Sequence, residues 1–475
     1  ANYYREAAAR DDDPMPPAVR AIAQGWAPCS LAAATTGIGL VSLMLSKIEP
    51  IQMFGLYSAI GVVASVGVLF ALLPSLLHLF PPRDKVVDRS ADPTPPPTHT
   101  AASSPRLSTA IVSRIIRFHL PCAIACITLM ALCAWRIPTI ESTVKLQDRF
   151  LPNSDAIADY RWLEKNIGPM VPLEVVISFR GDDQRDIVDQ LKVVAKVQGT
   201  IRSLSERVAT VSAINFAPSL PRGHSVRDIV RRKVINGEAT RQRWQQASYL
   251  NESDQATRWR ISVRADAIGD LDYGLFAEQI RTGVAPLLES EEVAGTFTGV
   301  IPLIYKAQRQ LLMDLFRSFI VAFVVIAAVL LTVLRNLAAT ALVMIPNVFP
   351  AVVVFGGIAW ADIPIQIGSV MTASAALGIA VDDTDHLLTW FRRGLAAGLS
   401  RHQAITDAFT RCAGAMVHTT LICGGGLIVF ALSTFVPILH FAYLMVFLLA
   451  SALLGDLVLL PAILAGPLGR CFGSK

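Results

Sequence analysis

The stretch GIAVDDTDHLL, residues 378–388, places three aspartates and one histidine inside a segment that is otherwise apolar. An ionised aspartate at the centre of a membrane-spanning helix costs roughly 2.5–3.5 kcal/mol on insertion scales, so such residues are expected to face protein or water. At about 100° per residue, Gly378, Asp382 and His386 lie on one stripe of a helix. Asp383 points about 100° away from Asp382, so the carboxylates are expected on two faces. Asp382 is therefore the residue best placed to face a neighbouring helix across Gly378.

The composition of the whole chain fits a membrane setting for this stretch. Of the 475 residues, 53% are hydrophobic and only 17% are charged, whereas soluble domains carry about 25% charged residues. The net charge of +5 comes from basic residues beside hydrophobic segments, so nucleic acid is not indicated as a partner. None of the seven cysteines lies in the polar region 138–307, so no disulfide framework is indicated there.

Eight segments are predicted to cross the membrane, because a crossing helix needs about 20 predominantly apolar residues. The predicted spans are residues 29–46, 51–80, 118–137, 311–334, 337–359, 364–388, 413–433 and 437–466. The second is long enough to require tilt or a bend, and Pro74 is the expected place for a bend. The sequence thus predicts an α-helical polytopic membrane protein.

Lysine and arginine concentrate in alternate connections between these spans. The loops 47–50, 360–363 and 434–436 hold a single basic residue, Lys47. The positive-inside rule then places both termini and the linker 81–117 in the cytoplasm and region 138–307 outside it. The linker is rich in Pro, Ser and Thr and is predicted to be extended or disordered. The expected location is the cytoplasmic (inner) membrane, crossed several times.

An internal repeat is visible at a constant shift along the chain. The shift that places Pro50 on Pro437 also places Leu73 on Leu460 and Pro74 on Pro461. Moved back by the same shift, Asp382 has its counterpart just before residue 1. We therefore expect an N-terminally truncated chain that lacks four spans and a second extracytoplasmic domain; the alternative is a naturally short protein without its initiator methionine.

This repeat defines the predicted domain organisation. The first repeat contributes only its last two helices, and the second contributes a first helix, an extracytoplasmic domain and a five-helix bundle. The corresponding residues are 1–80, 118–137, 138–307 and 308–475, with the linker 81–117 between the repeats.

Together, parallel repeats, an extracytoplasmic domain after the first span and a G-x-x-x-D-D signature in the fourth span resemble the resistance–nodulation–division superfamily. The resemblance is to its lipid-handling branch, the MMPL and Patched-like proteins, whose middle spans are called the sterol-sensing domain. It implies proton-driven export. Gly378, Asp382 and Asp383 match the signature, which implies a proton relay for the two aspartates and helix packing for the glycine.

Further polar residues in the spans are weaker candidates. Asp385 and His386 are possible relay residues, with an interfacial position near Arg392 and Arg393 as the alternative. His418, Thr419 and Asp456 are also possible relay members, although threonine hydroxyls commonly bond to their own helix. Two other features have structural interpretations: Asn347 is expected to serve a helix break, and Gly424-Gly425-Gly426 is expected to pack against another helix.

The region 138–307 is predicted to be an α+β domain. Strand-like runs occur at 173–180, 207–216, 258–264 and 293–299, with helical patterns at 184–198 and 271–288. This order suggests a split βαβ fold of ferredoxin-like type, which is also the porter-type fold that the resemblance implies. A polar, arginine-rich helical insert is expected at about 222–257, and the last strand is expected to continue directly into the fourth span.

Three functions are compatible with these features. The first is a proton-driven exporter of lipids or other hydrophobic molecules; the second is a non-transporting lipid or sterol sensor; the third is an accessory subunit of protein export. No catalytic constellation, metal cluster or phosphate-binding loop is found, so no enzyme activity, cofactor or metal is expected. The expected partners are a hydrophobic or lipid substrate, protons, membrane lipids and possible further copies of the chain.

Overall fold

The computed structural model describes residues 16–79, 105–140, 149–204, 208–221, 223, 225–267, 271–365 and 367–472. The chain divides into two compact units. The first, called the membrane unit, comprises the chain up to residue 142 and most of it after residue 309. The second, called the α+β unit, comprises residues 143–309 together with residues 434–436.

The membrane unit is helical throughout its described part. Its helices are α1 (Pro17–Val41), α2 (Glu49–Leu79), α3 (Pro105–Arg117), α4 (His119–Arg136), α10 (Val300–Leu334, which begins in the α+β unit), α11 (Leu337–Trp360), α12 (Ile367–Ala396), α13 (Arg401–Ile428), α14 (Val436–Leu454) and α15 (Leu460–Ala465). A π-helical segment, Gly455–Leu459, joins α14 to α15. Short 3-10 helices occupy Ser42–Leu45, Ile137–Thr139, Val429–Leu432 and Pro467–Phe472.

Six helices of the described residues are long and apolar enough to cross a membrane. They are Glu49–Leu76, His119–Thr139, Val300–Leu334, Leu337–Trp360, Arg401–Leu432 and Val436–Ala465. The other two predicted spans are also helical, but Cys29–Leu45 is a shorter apolar helix, and α12 carries the three aspartates. The chain is therefore a polytopic helical membrane protein, and the count of eight crossings stays a prediction.

The end of the predicted linker is ordered, which corrects the prediction for residues 105–117. Helix α3 begins at Pro105, where proline is tolerated in a first helical turn. Its spacing places Val112 and Ile115 on one face, where they are 0% and 8% exposed, and Val112 joins a core with Phe409 of α13. Residues 81–104 of the linker lie outside the described residues. Burial of one apolar face explains why this part of the linker is helical despite the polar composition around it.

The α+β unit contains one antiparallel sheet with helices from the same region. Its elements are α5 (Asp155–Asn166), β1 (Val171–Arg180), α6 (Ile187–Leu204), β2 (Ala209–Ser212), α7 (Val226–Ile235), α8 (Glu238–Gln246), β3 (Leu250–Ser253), β4 (Ala256–Ala265), α9 (Tyr273–Ser290) and β5 (Ala294–Gly299), with a 3-10 helix at Ala213–Phe216. The strand order is β2-β4-β1-β5, with β3 paired to β4. The arginine-rich insert forms α7, α8 and β3.

Alternation along β1 shows why this sheet has one buried face. Leu173, Val175, Ile177 and Phe179 are at most 1% exposed, while the residues between them are more accessible. Since successive side chains of a strand point to opposite faces, this alternation defines the core side. The same core includes the inward faces of α6 and α9, and Trp259 of β4 donates from Nε1 to Gln190 Oε1 at 2.8 Å.

Candidate functional site

Helices α12 and α1 approach each other through glycine. An ideal Cβ atom on Gly378 would lie only 2.9 Å from Thr36 Cα, and one on Gly39 would lie 2.6 Å from Ser374 O. The Thr36 hydroxyl donates a hydrogen bond to Gly378 O at 3.2 Å across this contact. The aspartate stretch of α12 therefore begins one turn after a close backbone contact with α1.

Asp382 follows Gly378 on the same helical stripe and pairs with His386. The distance from Asp382 Oδ1 to His386 Nε2 is 3.4 Å, and the two side chains are 39% and 32% exposed. Asp382 Oδ1 is itself inaccessible and has no hydrogen-bond partner of good geometry. Cys29 of α1 lies within electrostatic range of the Asp382 carboxylate. The pair therefore lies in a partly accessible position along the α1 side of α12.

The other two aspartates of the stretch lie close to the first. Both Asp383 and Asp385 interact electrostatically with Asp382. Asp383 also interacts with Cys412 of α13, and Asp385 Oδ2 is inaccessible without a hydrogen-bond partner. A carboxyl group can bind and release a proton. The stretch therefore has the chemistry of a proton-binding site.

A buried polar cluster lies beside this stretch. Thr384 of α12 is 0% exposed, Asn347 of α11 is 2% exposed and Asp456 of the π-helical segment is 1% exposed. Thr384 Oγ1 lies 2.8 Å from Asn347 Oδ1 and 2.5 Å from Asp456 Oδ1. Asp456 interacts electrostatically with all three aspartates of α12. Four carboxyl groups and one imidazole are thus gathered within the helices of the membrane unit.

Two of the possible relay residues are not brought to this site. His418 is exposed, and its Nδ1 lies 2.5 Å from Gly414 O of its own helix. Thr419 donates to Met416 O at 2.9 Å. Both side chains bond within α13, which is the structural alternative stated for the threonine. The structure therefore places Asp382, Asp383, Asp385, His386 and Asp456 together and leaves His418 and Thr419 apart.

Two structural interpretations of the sequence were wrong. Helix α11 runs unbroken from Leu337 to Trp360 through Pro346 and Pro350, so Asn347 does not mark a helix break. Instead its side chain is held in the buried cluster. An ideal Cβ on Gly424, Gly425 or Gly426 would meet nothing within 4 Å, so these glycines do not pack against another helix in the described part of the chain.

Sequence reasoning missed two polar residues that the structure buries, Thr384 and Asp314, and the half-buried Cys29. Thr384 lies inside the stretch 378–388, but the charged residues on either side of it drew attention away from its hydroxyl group. Asp314 of α10 is 3% exposed and accepts hydrogen bonds from Ser46 Oγ and Lys47 N, each at 2.8 Å. Cys29 precedes the α1 contact with α12. An isolated polar residue in an apolar run, as in LLMDLF around Asp314, is the signal that could have drawn attention to that position.

No group of three or more His, Cys, Asp or Glu side chains suited to a metal ion occurs among the described residues.

Comparison with known families and structures gives one family match. The model of the MMPL family matches residues 2–114 and 177–472. No curated protein matches the chain.

Two solved structures share the fold at low sequence identity. The crystal structure of a heavy metal efflux pump is 13% identical with a TM-score of 0.54, covering 94% of this chain and 59% of the pump chain. SecDF, in a form described as super-membrane-facing, is 11% identical with a TM-score of 0.51, covering 98% of this chain and 52% of its own. The chain thus spans between half and three-fifths of the length of either structure.

Proposed function

The chain belongs to the MMPL family, and from that premise we propose that it is a proton-driven secondary transporter that exports lipids or other hydrophobic molecules. Membership of this family and the likeness to an efflux pump and to SecDF support a membrane transporter. The observation that carries the proton-driven mechanism is the gathering of Asp382, Asp383, Asp385 and Asp456 within the helices of the membrane unit.

Proton binding at Asp382 is proposed to be the coupling step. A proton that enters from the extracytoplasmic side neutralises the carboxylate, and His386 loses its charged partner at 3.4 Å. The helix contact beside it changes in consequence, because Gly378 and Thr36 hold α12 against α1 one turn away. A ligand shifts a conformational equilibrium only through its different affinity for the two states. The site binds a proton with different affinity in the two states if the two helix packings solvate the carboxylate unequally.

The energy available to such a site is sufficient to drive a shape change. One elementary charge crossing 100 mV supplies about 2.3 kcal/mol. Each unit of pH difference adds about 1.4 kcal/mol. Together these two free energies are comparable to the few kcal/mol that commonly separate two conformations of a protein.

The α+β unit is proposed to be a ferredoxin-like porter domain outside the cytoplasm. Support comes from its chain order of strand, helix, strand, strand, helix and strand through β1, α6, β2, β4, α9 and β5. The antiparallel strand order is β2-β4-β1-β5, with β4 and β1 in the centre of the sheet. This is the strand order that a split βαβ fold requires. Eight membrane crossings, with both termini in the cytoplasm, belong to the same proposal.

The test is the substitution Asp382→Asn in the protein expressed from its natural gene and reconstituted in proteoliposomes. The probes are an entrapped pH-sensitive dye and a fluorescent acyl-chain lipid, followed under an imposed pH gradient. We expect proton influx and lipid movement to fall together to the level of empty liposomes, while the amount of inserted protein is unchanged. The matched control is Asp362→Asn, because the Asp362 side chain is 81% exposed in a loop and its loss should leave the flux intact.

Wild-type flux in the Asp382→Asn variant would contradict the proposed coupling step. Lipid binding without proton flux in the unmodified protein would instead identify a sensor. Proton flux without movement of any hydrophobic probe would favour a role in protein export.

A further inference from the structure

In the cluster of Asn347, Thr384 and Asp456, the oxygen–oxygen contacts need more hydrogens than the Thr384 hydroxyl can supply. Each side chain is at most 2% exposed, and each belongs to a different segment, namely α11, α12 and the π-helical segment. Thr384 Oγ1 is within hydrogen-bond distance of three oxygens, namely Asn347 Oδ1 at 2.8 Å, Asp456 Oδ1 at 2.5 Å and Ala380 O of its own helix at 3.3 Å. A threonine hydroxyl has one hydrogen and two lone pairs. It can therefore donate to one of these oxygens only, and at least one of the two shorter side-chain contacts needs a second hydrogen.

Two unpartnered atoms show where that second hydrogen is available. Asn347 Nδ2 and Asp456 Oδ2 are both inaccessible and have no hydrogen-bond partner among the described residues. The two ends of an asparagine amide exchange places by rotation, and their assignment follows from the network around them. A carboxyl group, when protonated, gains one O–H donor. Either side chain can thus supply the missing hydrogen, from a protonated carboxyl group on Asp456 or from a turned amide on Asn347, but only in a different state of the cluster.

Two complete arrangements follow. When Asp456 is neutral, its O–H donates to Thr384 Oγ1, and the Thr384 hydroxyl donates to Asn347 Oδ1. When Asp456 is ionised, Asn347 turns its amide so that Nδ2 donates to Thr384 Oγ1, and the hydroxyl donates to Asp456. Each arrangement gives both side-chain contacts of Thr384 one hydrogen, and neither uses the longer contact with Ala380 O. The direction of the hydrogen bonds through Thr384 therefore depends on whether Asp456 holds a proton.

The electrostatic surroundings of Asp456 are acidic. The carboxyl groups of Asp382, Asp383 and Asp385 on α12 are within electrostatic range, and His386 beyond them is paired with Asp382. Helices α11 and α15 carry no titratable side chain. Helix α4, which also packs against the π-helical segment, contributes Cys126 and Met130 to the apolar cluster at Leu459, and of these only the Cys126 thiol can titrate. No lysine or arginine among the described residues pairs with Asp456, so a proton is the charge that can neutralise it.

We propose that Asn347, Thr384 and Asp456 form a second proton-binding site, in which Asp456 holds the proton and the hydrogen bonds through Thr384 reverse when the proton leaves. In the release step one O–H bond of Asp456 breaks, its electron pair stays on the carboxylate, and the proton forms an O–H bond with an ionised carboxylate of α12 or with water. Asn347 and Thr384 are positioning residues for this step. The inference rests on the proposed function, because it assigns a proton store to the same transport cycle.

Asp456 lies in a π-helical segment, so a reversal of its hydrogen bonds can change how the neighbouring helices pack. Single π-turns inside α-helices are frequent at functional sites, and here the turn interrupts the last predicted span. Because the three side chains belong to α11, α12 and this segment, a change in hydrogen-bond direction acts on three helices at once. The cluster thereby links the charge state of the site to the packing of the helices around it.

Infrared difference spectroscopy of the protein in proteoliposomes tests the proton on Asp456 directly. The protonated-carboxyl stretching band is recorded as a function of pH for the unmodified protein, Asp456→Asn and Asp382→Asn. We expect Asp456→Asn to remove one component of the band and Asp382→Asn to leave that component in place. If Asp456→Asn leaves the band unchanged, or if Asp382→Asn removes the same component, the second site does not exist.

The positioning role has a separate readout in the midpoint pH of that component. Thr384→Val removes the donor to the ionised form, which should move the midpoint upward by about one to two pH units. Thr384→Ser keeps the hydroxyl and should restore the unmodified midpoint. Asn347→Leu should shift the midpoint when Thr384 is present and have no further effect in Thr384→Val.

Equal midpoints in Thr384→Val and Thr384→Ser would overturn the reversal. If the valine variant does not fold, the serine variant compared with Asn347→Leu decides the same question, since a network through Thr384 requires their midpoints to differ. These outcomes are independent of the Asp382→Asn flux experiment, so the proton store and the proposed transport function can fail separately.

Discussion

At Gly378 the absence of a side chain allows two helix backbones to meet beside the aspartates. A methyl group there would come within 2.9 Å of Thr36 Cα, an atom that cannot move without moving the backbone of α1. Asp382 lies one helical turn further on, so the spacing of this contact also sets the distance of its carboxyl group from α1. The residue thus acts on the site through geometry alone.

We expect Gly378→Ala to destabilise the membrane unit by about 1–3 kcal/mol, the usual cost of overpacking a tight contact. Thermal denaturation of the purified protein in detergent measures this as a lower melting temperature. The matched control is Gly425→Ala, since a methyl group at that position meets nothing within 4 Å. Equal melting temperatures for the two variants would show that the α1–α12 contact is looser than the structure indicates.

Among the elements, the turn between α1 and α2 is held by a buried acid from another helix. Asp314 of α10 accepts from Ser46 Oγ, from Lys47 N and from Gln310 Nε2, at 2.8, 2.8 and 2.7 Å. Three donors satisfy the acceptor oxygens of this buried carboxyl group. This contact fixes the front pair of helices to the later helices of the membrane unit.

Replacing Asp314 by asparagine exchanges one acceptor oxygen for an amide NH2 group, which is a donor and cannot accept from the donors around it. The net contribution of hydrogen bonds to a charged group is about 1.5–3 kcal/mol, and we expect a loss of stability of that size. Asp362→Asn is the comparison, because an exposed ion pair such as Asp362–Arg136 contributes at most about 1 kcal/mol. Hydrogen exchange at residues 46–51 should accelerate in the first variant only; unchanged exchange there would remove Asp314 from this role.

For the molecule as a whole, the distribution of basic residues predicts which loops share a side of the membrane. Alternate loops are rich in arginine, while the loops 47–50, 360–363 and 434–436 contain only Lys47. In the proposed orientation, the loop after α12 is cytoplasmic and the α+β unit is outside. The carboxyl cluster would then have access to protons from both sides during a cycle.

Cysteine labelling tests this orientation with a membrane-impermeant maleimide. Ala397→Cys, in the exposed turn after α12, should be labelled only after the membrane is permeabilised. Asp182→Cys, in the exposed turn after β1, should be labelled in intact cells. Both positions are exposed in the structure, so the reversed pattern would mean that the proposed topology is inverted.

Much of the fold could be predicted from local patterns. Long apolar runs gave helices at all eight expected places, because a helix in lipid must satisfy its own backbone hydrogen bonds. Alternation in LEVVISFR gave β1, since one face of a strand is buried. The prediction of an extended or disordered linker was wrong at 105–117, because the low average hydropathy of the linker concealed a single apolar face around Val112.

The candidate site was predictable only in the part that lies within one helix. The sequence by itself placed Asp382, Gly378 and His386 on one stripe, because helical periodicity relates residues three and four apart. Only the tertiary structure decided that Asn347 and Asp456, 37 and 72 positions from Thr384, meet at its hydroxyl. It also decided that His418 stays apart. Periodicity fixes the face of a helix on which a side chain lies, whereas the identity of the neighbour on that face depends on packing between helices that are distant in the chain.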